Sequence, residues 1–456
     1  MQIDGKSRLI GLMGNPVEYT LSPVIHNEIS RQMNISSVYM PFRVENDLVK
    51  NAVRGAYALN VLGLNVTVPH KNAVMDCLVD VDDAAMHIGA VNTLVRDEEK
   101  QGYKGYNTDM LGLQRQIHDY GISLSGQTVV VIGAGGAAKA VVYMCLLEGA
   151  NKVYILNRTL SKAEEIARSM SLVKQIHSAT SIIALNITDV SAIKEDSVIA
   201  FQATSIGLYP NVNEVAIDSP AFYKKVKTGV DLIYTPANTM FMKLVREHGG
   251  RAYNSLKMLL YQGVAAYELW HNITVPQDIV ENIYDTLQQK VYTNYVLIGF
   301  MGSGKTTFGK ALAKELGMDF LDTDEYIEEN EGKSIPQIFD AHGESGFREI
   351  ETQTLRELNG HIHNTVIATG GGMPLRDENR VLLKEIGTVC YLTATSEEIY
   401  DRIKDDTNRP LLQTDNPYER ICTMMYDRKP HYLAACDKII DTGSNDVKKI
   451  IEEIIG

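Results

Sequence analysis

Two glycine-rich stretches stand where backbone amides are needed to hold phosphate. Gly299-Phe300-Met301-Gly302-Ser303-Gly304-Lys305-Thr306 fits G-x-x-x-x-G-K-[ST], directly after an apolar run at 295–299 and before a helical pattern. In such a loop successive N–H groups wrap the phosphates, the lysine reaches the outer ones, and the threonine hydroxyl serves Mg²⁺. The latter part of the chain therefore binds a nucleoside triphosphate, with Gly302, Ser303, Gly304, Lys305, Thr306 and Thr307 around it and Thr306 toward the metal. The second stretch, Gly133-Ala134-Gly135-Gly136-Ala137-Ala138, fits G-x-G-x-x-[GA] between an apolar run and a helical pattern, as a pyrophosphate-binding turn does. The next apolar run ends in Asn157-Arg158-Thr159. An acidic residue there would bind a free ribose hydroxyl, whereas an arginine suits a 2′-phosphate, so NADP is favoured over NAD.

These loops need parallel sheets behind them. Short β-branched runs alternate with longer helical patterns nearly throughout, which is the signature of α/β architecture. Strands are expected at 8–13, 38–44, 64–68, 128–132 and 152–156, with a helix at 137–147. A second series begins at 295 and continues at 365–368, 388–392 and 438–440. Between the series, 276–290 reads as a polar-faced helix, and no Pro/Gly/Ser-rich linker marks the join, which is placed at about residue 290. At 456 residues the chain exceeds what one core normally serves.

Composition narrows the classes. A formal charge of −13 argues against a general nucleic-acid or membrane-surface binder, and leaves anionic substrates to local arginines. The first residues lack a basic region followed by an apolar core, and no stretch is apolar for long enough to span a bilayer. Five scattered cysteines without C-x-x-C spacing read as reduced thiols in a cytoplasm. Oligomeric state is left open.

Further residues give the second series a specific likeness. Asp322-Thr-Asp324, Gly343-Glu-Ser-Gly-Phe-Arg348-Glu-Ile-Glu351, Gly370-Gly371-Gly372, Arg409-Pro-Leu-Leu and Arg428 before Tyr432 follow the phosphate loop in order. In this, 295–456 resembles the shikimate kinases. The resemblance implies a P-loop α/β domain with a parallel sheet, MgATP, and shikimate held through its carboxylate by Arg348 and Arg428; paired arginines suit a carboxylate by their fork geometry. It makes Asp324 the residue that holds the acceptor hydroxyl and draws off its proton. Asp322 supports the metal shell, Gly370, Gly371 and Gly372 face the ring, and Arg409 is a mobile lid residue closing on the phosphates with Lys305. Arg402 is a further candidate for nucleotide contact. A plain alternative for Arg348 is a helix-surface pair with Glu351.

The first series carries Ser22-Pro23, Asn65-Val-Thr67-Val-Pro69-His-Lys71, Gly89-Ala-Val-Asn92-Thr93 and Asn107-Thr108-Asp109. Asp231-Leu-Ile-Tyr234-Thr-Pro236 and Met258-Leu-Leu-Tyr-Gln262 come later. Over 1–283 this is similar to the shikimate dehydrogenases. The resemblance implies a two-domain dehydrogenase: an α/β substrate domain at 1–108 with 254–290 returning to it, and a Rossmann domain at 109–253, before the kinase at 291–456. Lys71 and Asp109 match the catalytic pair: a lysine able to protonate a ketone oxygen, and a carboxylate to orient it. Thr20, Ser22, Thr67, Asn92 and Gln262 match substrate positions, and Tyr234 a cofactor position. The pattern is broken at four places: Thr20 stands for a serine, Gln202 for an asparagine, Leu208 for a methionine, and Ser255 for a glycine close to the nicotinamide. The last three bear on nicotinamide positioning and leave substrate recognition intact.

The leading reading is a bifunctional enzyme that reduces 3-dehydroshikimate with NADPH and then phosphorylates shikimate with MgATP. A second makes the first half a catalytically weak or regulatory module on an active kinase. A third gives the first half quinate as substrate, with NAD.

Overall fold

Each apolar run becomes a strand, with ends shifted by two residues at most, and the strands assemble into three sheets. The structure is a computed structural model that describes residues 3–18, 20–173, 180–208, 211–404, 416–443 and 446–455. The chain divides into two compact units, Met1–Gln288 and Gln289–Gly456.

The first unit contains two sheets. One is built from β1 (Arg8–Gly14), β2 (Ser37–Arg43), β3 (Gly63–Val66), β4 (Asp80–Val81), β5 (Thr93–Asp97) and β6 (Gly102–Tyr106), in the order β2-β1-β3-β5-β6-β4. β1 runs parallel to β2 and β3, whereas β5 is antiparallel to both β3 and β6. As a result the C-terminal ends of β1, β3 and β6 and the start of β5 share one edge. Helix Ser22–Gln32 follows β1, Thr67 and Lys71 follow β3, Asn92 precedes β5, and Asp109 opens the helix Thr108–Asp119 after β6. Four chain segments far apart in sequence thus deliver polar side chains to one place.

The second sheet is fully parallel: β7 (Thr128–Ile132), β8 (Lys152–Asn157), β9 (Ser181–Asn186), β10 (Val198–Gln202), β11 (Val226–Asp231) and β12 (Arg251–Asn254), in the order β12-β11-β10-β7-β8-β9. Every residue of β7 is buried, as a strand covered on both faces must be. Strand order reverses between β7 and β10, and a crevice at such a switch point is where open α/β sheets bind ligands. After β12 the chain returns to the first sheet in helix Leu256–His271. There Trp270 Nε1 donates to the Leu94 carbonyl at 2.9 Å and Tyr267 shares a hydrogen bond with Ser30 at 3.0 Å. Helix Gln277–Val291 follows, burying Ile279, Val280, Ile283 and Leu287 along one face.

The second unit is one parallel sheet: β13 (Tyr295–Ile298), β14 (Asp319–Asp322), β15 (Thr365–Ala368), β16 (Thr388–Thr393) and β17 (Lys438–Asp441), in the order β14-β15-β13-β16-β17. The central β13 feeds the loop before helix Lys305–Leu316. Asn294, buried just before it, ties three segments together: its Nδ2 donates to the Ile362 and Ile386 carbonyls at 2.8 and 2.9 Å, and its Oδ1 accepts from Thr365 N–H at 3.0 Å. Among the described residues no helix is long and apolar enough to cross a membrane.

Asn294→Ala leaves one buried amide and two buried carbonyls without partners, and is expected to destabilise the second unit by roughly 2–3 kcal/mol. Amide exchange of β13 and β15 during urea unfolding would show it; unchanged protection would mean that the asparagine is replaceable by water.

Candidate active sites

Along the shared edge of the first sheet lies a cavity of about 370 Å³, whose wall includes Thr20, Ser22, Thr67, Lys71, Asn92, Asp109, Tyr234, Ser255 and Gln262. Lys71 Nζ donates to Asp109 Oδ2 at 2.6 Å, with both side chains about a quarter exposed. A charge-assisted bond contributes roughly 1.5–3 kcal/mol, close to the ~2 kcal/mol of rotamer freedom a lysine loses when held. The ammonium is oriented, yet another acceptor can draw it away at little cost. Asn92 Oδ1 is committed to Thr108 N–H at 2.7 Å, which leaves its amide NH₂ to donate. Thr20 Oγ1 bonds to Ser22 Oγ at 3.2 Å. Behind them Asn65 Oδ1 accepts from Tyr39 Oη at 2.8 Å and lies 3.1 Å from His26 Nε2, while Asn65 Nδ2 donates to Thr93 Oγ1 at 3.1 Å. Burial drives the His26 pKa down to about 3, so the ring is neutral and its contact to Asn65 is a fixed donor bond.

The turn after β7 sits at the switch point. Gly133 has φ +116°, and a Cβ there would stand 2.9 Å from the Ala203 carbonyl at the end of β10, so only glycine fits. Gly135 precedes helix Gly136–Leu147 as its N-cap. A second cavity of about 730 Å³ is lined by Ala134, Gly135, Gly136, Ala137, Lys139 and Lys162. Lys71, Asp109 and Met258 line this cavity as well as the first. Arg158 and Thr159 are exposed at the end of β8 outside that lining, and Asn157 Nδ2 closes the turn onto the Thr159 carbonyl at 2.9 Å. Tyr234 stands in the first cavity, not the second.

Gln202 fills its position with a self-contained set of bonds. Its Oε1 accepts from Thr204 N–H at 2.6 Å and Thr204 Oγ1 at 2.7 Å, and its Nε2 donates to the Ile206 carbonyl at 3.0 Å. The loop beside Gly133 is thereby fixed. The segment carrying Tyr234 is held from Asp231, which accepts from Ile233 N–H at 3.0 Å and Thr239 Oγ1 at 2.6 Å; burial lifts this carboxyl to about 7.

In the second unit a cavity of about 550 Å³ is lined by Gly302, Gly304, Lys305, Thr306, Thr307, Asp322, Asp324, Gly371 and Arg402. Lys305 Nζ donates to the Gly299 and Phe300 carbonyls, both at 3.0 Å. Thr306 Oγ1 donates to Asp322 Oδ2 at 2.9 Å, while Asp322 Oδ1 accepts from Asp324 N–H at 3.0 Å. Ser303 Oγ is buried without a hydrogen-bond partner among the described residues. Arg402 donates to the Gly302 carbonyl at 3.3 Å and the Thr442 carbonyl at 2.7 Å, bridging the loop to the end of β17.

Gly370, Gly371 and Gly372 form the wall against which the charged groups pack. A Cβ on Gly370 would stand 2.7 Å from Asp324 Oδ1 and 3.1 Å from Glu351 Oε1, and one on Gly372 would fall on the Arg348 guanidinium. Arg428 Nη1 and Tyr432 Oη both donate to the Gly371 carbonyl, at 3.5 and 2.7 Å. Arg348 pairs with Glu351 at 2.7 Å, so the helix-surface pairing considered from sequence exists, but inside the site: Glu351 is 1% exposed. Burial first, and the Asp322 charge second, lift Asp324 to about 6; burial lifts Glu351 to about 7 against the pull of Arg348. Arg409 lies outside the described residues.

Several site residues carried no sequence signal of their own. Lys162 does carry one, four positions after Arg158 and in the first turn of helix Leu160–Ser171. Glu351 reads in sequence as a helix-surface partner of Arg348, and Tyr432, Gln116 and Thr442 look like ordinary helix and strand-end residues until the chain is folded.

Comparison with known proteins follows the same division. Family models match residues 12–94 (shikimate dehydrogenase substrate binding domain), 113–209 (shikimate / quinate 5-dehydrogenase), 256–283 (shikimate 5′-dehydrogenase C-terminal domain) and 301–456 (shikimate kinase). The shikimate dehydrogenase (NADP(+)) of Desulforamulus reducens is 40% identical over 289 residues, 62% of this chain and 96% of that protein. Shikimate 5-dehydrogenase from Listeria monocytogenes, solved with shikimate and NAD, is 31% identical with a TM-score of 0.57, covering 62% of this chain and 98% of that one. A chorismate mutase/shikimate 5-dehydrogenase fusion protein from Clostridium acetobutylicum is 32% identical with a TM-score of 0.55, again over 62% and 98%.

The raised pKa of Glu351 has a stability consequence whose sign is the reverse of that for a carboxylate whose pKa is lowered on folding. Between about pH 4.5, where it titrates unfolded, and about 7, the folded state holds a proton that the unfolded state has lost. The second unit should therefore lose stability through that window as pH rises, and Glu351→Gln should remove that part of the slope. Denaturant titrations of both proteins from pH 4.5 to 7.5 test this; parallel profiles would show that the carboxyl is ionised throughout.

Proposed function

The chain belongs to the shikimate dehydrogenase family and carries a shikimate kinase domain behind the dehydrogenase, and on that premise we infer which side chains carry its two reactions. It is a bifunctional enzyme of the shikimate pathway. It reduces 3-dehydroshikimate to shikimate with NADPH and phosphorylates shikimate to shikimate 3-phosphate with MgATP.

The observation that carries the first half is the meeting of two cavities at Lys71, Asp109 and Met258. The dinucleotide cavity fits an anionic cofactor: a turn that only glycine can make at Gly133, amides at a helix start, and Lys139 and Lys162 in its lining. NADPH, when bound, supplies the hydride. The chain must then place the ketone and protonate its oxygen. Lys71 donates that proton, and Asp109 holds the ammonium toward the cleft and stabilises its charged form. Thr20 and Ser22 take the substrate carboxylate, and Thr67, Asn92 and Gln262 the ring hydroxyls. Arg158, assisted by Lys162, takes the 2′-phosphate, with Asn157 and Thr159 shaping the turn.

In the second half the orphaned Ser303 hydroxyl and the Thr306–Asp322 bond fit a phosphate chain with its magnesium. Arg348 and Arg428 grip the carboxylate of shikimate against the glycine wall. Asp324 accepts the proton of the ring hydroxyl as the phosphoryl group is transferred; its raised pKa brings it near the operating pH, where a general base is most effective. Lys305 neutralises charge on the transferred group, and the resemblance gives Arg409 a part in the same task. Five thiols, none in a disulfide, support a reducing cytoplasm.

Purified protein with 3-dehydroshikimate and NADPH, with and without MgATP, tests both halves together. NADPH loss in both tubes is expected, with the mass of shikimate in one and of its 3-phosphate in the other. No NADPH loss, with phosphate ester still formed from supplied shikimate, would leave only the kinase. Lys71→Ala should lower the reduction rate by roughly 10²–10⁴ while the kinase rate stands, and Asp324→Asn should do the converse. For the kinase, kcat/KM for shikimate should fall about tenfold per pH unit below about pH 6, because the base must be ionised. A flat profile down to pH 5 would remove Asp324 from that role.

A further inference from the structure

A serine at a helix N-cap ordinarily accepts from the backbone N–H of the third helical residue. Ser255, at the N-cap of helix Leu256–His271, makes no such bond. The N–H in question, that of Met258, is taken by Gln116 Oε1 at 2.7 Å, and Gln116 Nε2 donates to Ser255 Oγ at 3.2 Å. Gln116 reaches there from helix Thr108–Asp119, two turns beyond Asp109. Gln116 is wholly buried, and Ser255 is 2% exposed in the wall of the substrate cavity.

The two helices touch backbone to backbone beside this bridge: a Cβ on Gly112 would stand 2.7 Å from both Gln262 N and Met258 O. Asp109, Gly112 and Gln116 thus form one stripe on the first helix, facing Met258 and Gln262 on the second. Met258 borders both cavities, and Gln262 lines the substrate cavity. A glycine at 255, the residue the family pattern carries, would leave Gln116 Nε2 buried without this acceptor. Serine at 255 and glutamine at 116 are therefore matched.

We propose that Gln116 is a positioning residue of the reduction, holding Met258 and Gln262 in register with Asp109 through Ser255 Oγ and the Met258 N–H. This rests on the dehydrogenase reading above. Gln116 lines neither the substrate cavity nor the dinucleotide cavity. It fixes how far the helix that borders the dinucleotide cavity lies from the helix that carries Asp109, the carboxylate of the proton-donating pair, and an error of an ångström in that distance slows a transfer step far more than it weakens binding.

The experiment uses the full-length chain: the kinase rate of the second unit counts intact protein, and the melting temperature of the first unit reports on the folding of the part that carries the substitutions. Gln116→Leu, Gln116→Glu, Ser255→Gly and the Leu/Gly double variant are assayed for kcat, KM and the isotope effect with NADPH deuterated at C4. Gln116→Leu should lower kcat about tenfold, with each KM within about threefold, and enlarge the isotope effect as transfer becomes rate-limiting. Gln116→Glu keeps an acceptor for the Met258 N–H and can accept from the Ser255 hydroxyl, so it should restore most of kcat. The double variant should be no slower than Gln116→Leu, because both changes break one link. A Gln116→Leu enzyme with wild-type kcat and isotope effect would overturn the proposal. So would equal losses in the Leu and Glu variants accompanied by a lowered melting temperature, which would mark plain structural damage. A wild-type chain that fails to oxidise NADPH, seen before any variant is made, would instead overturn the dehydrogenase reading itself.

Discussion

A lysine that is to protonate a ketone must be held against a carboxylate and still face the cleft. The Lys71–Asp109 bond, 2.6 Å long and about a quarter exposed on each side in the cavity wall, meets both needs. Much of the first unit can be read as what that placement requires. Lys71 comes from the turn after β3 and Asp109 from the helix after β6, and the antiparallel β5 between those strands lets both end on one edge. Asn107 caps the Asp109 helix through the Met110 N–H at 3.0 Å, and Asn92 takes the Thr108 N–H, so the carboxylate is aimed from a helix end whose amides are satisfied. The dinucleotide sheet then needs only to bring its switch point to the same edge.

The second unit meets a related demand by other means. It gathers two aspartates, a glutamate and two arginines into a small volume, and burial raises Asp324 and Glu351 rather than letting the arginines depress them. Desolvation is the largest influence on both carboxyls and outweighs the pull of Arg348, which is shared with the exposed Glu344. Room for the charged groups comes from removing carbon at Gly370 and Gly372, where a Cβ would collide with them. On the proposed roles, one unit takes its acid with neutral hydroxyls beside a single lysine and the other with arginine forks, and in the second a transferred phosphoryl group benefits from the positive charge nearby.

Legibility in the sequence followed the range of the interactions. Both phosphate loops were plain because their function is local, a run of amides at a strand end. The strands that carry them were plain because β7 and β13 are continuous apolar runs. The hairpin of β5 and β6 was not foreseen: Arg96, Asp97 and Lys104 interrupt its apolar pattern, which is what a strand open to solvent on one face permits. β9 to β12 are not among the strands expected from the sequence, and β12, four residues long, has only Ala252 buried, whereas the end of β14 is marked by Asp322-Thr-Asp324. Lys71, Asp109, Asn92 and Gln262 could be named only through resemblance, since nothing in their own neighbourhoods says that they meet. Tyr234 was expected at the cofactor and lines the substrate cavity, because the segment from Asp231 to Thr239 folds back across the β11 end.

The departures from the family pattern separate two kinds of compensation. Gln202 is one carbon longer than the asparagine it replaces, and its bonds all go to residues 204 and 206, so the loop absorbs the change within four positions. Ser255 cannot be absorbed locally. Its hydroxyl needs a donor, and the one it has lies 139 residues earlier in the chain. Read along the sequence the two substitutions look alike, each a single unexpected residue near the nicotinamide end of the site. In the fold one is a repair completed in place, while the other joins two helices that the reaction needs at a fixed separation. A departure from a pattern is therefore informative about function only once its hydrogen-bond partner is known, and the sequence distance to that partner decides whether the change stays local or becomes part of the geometry of catalysis.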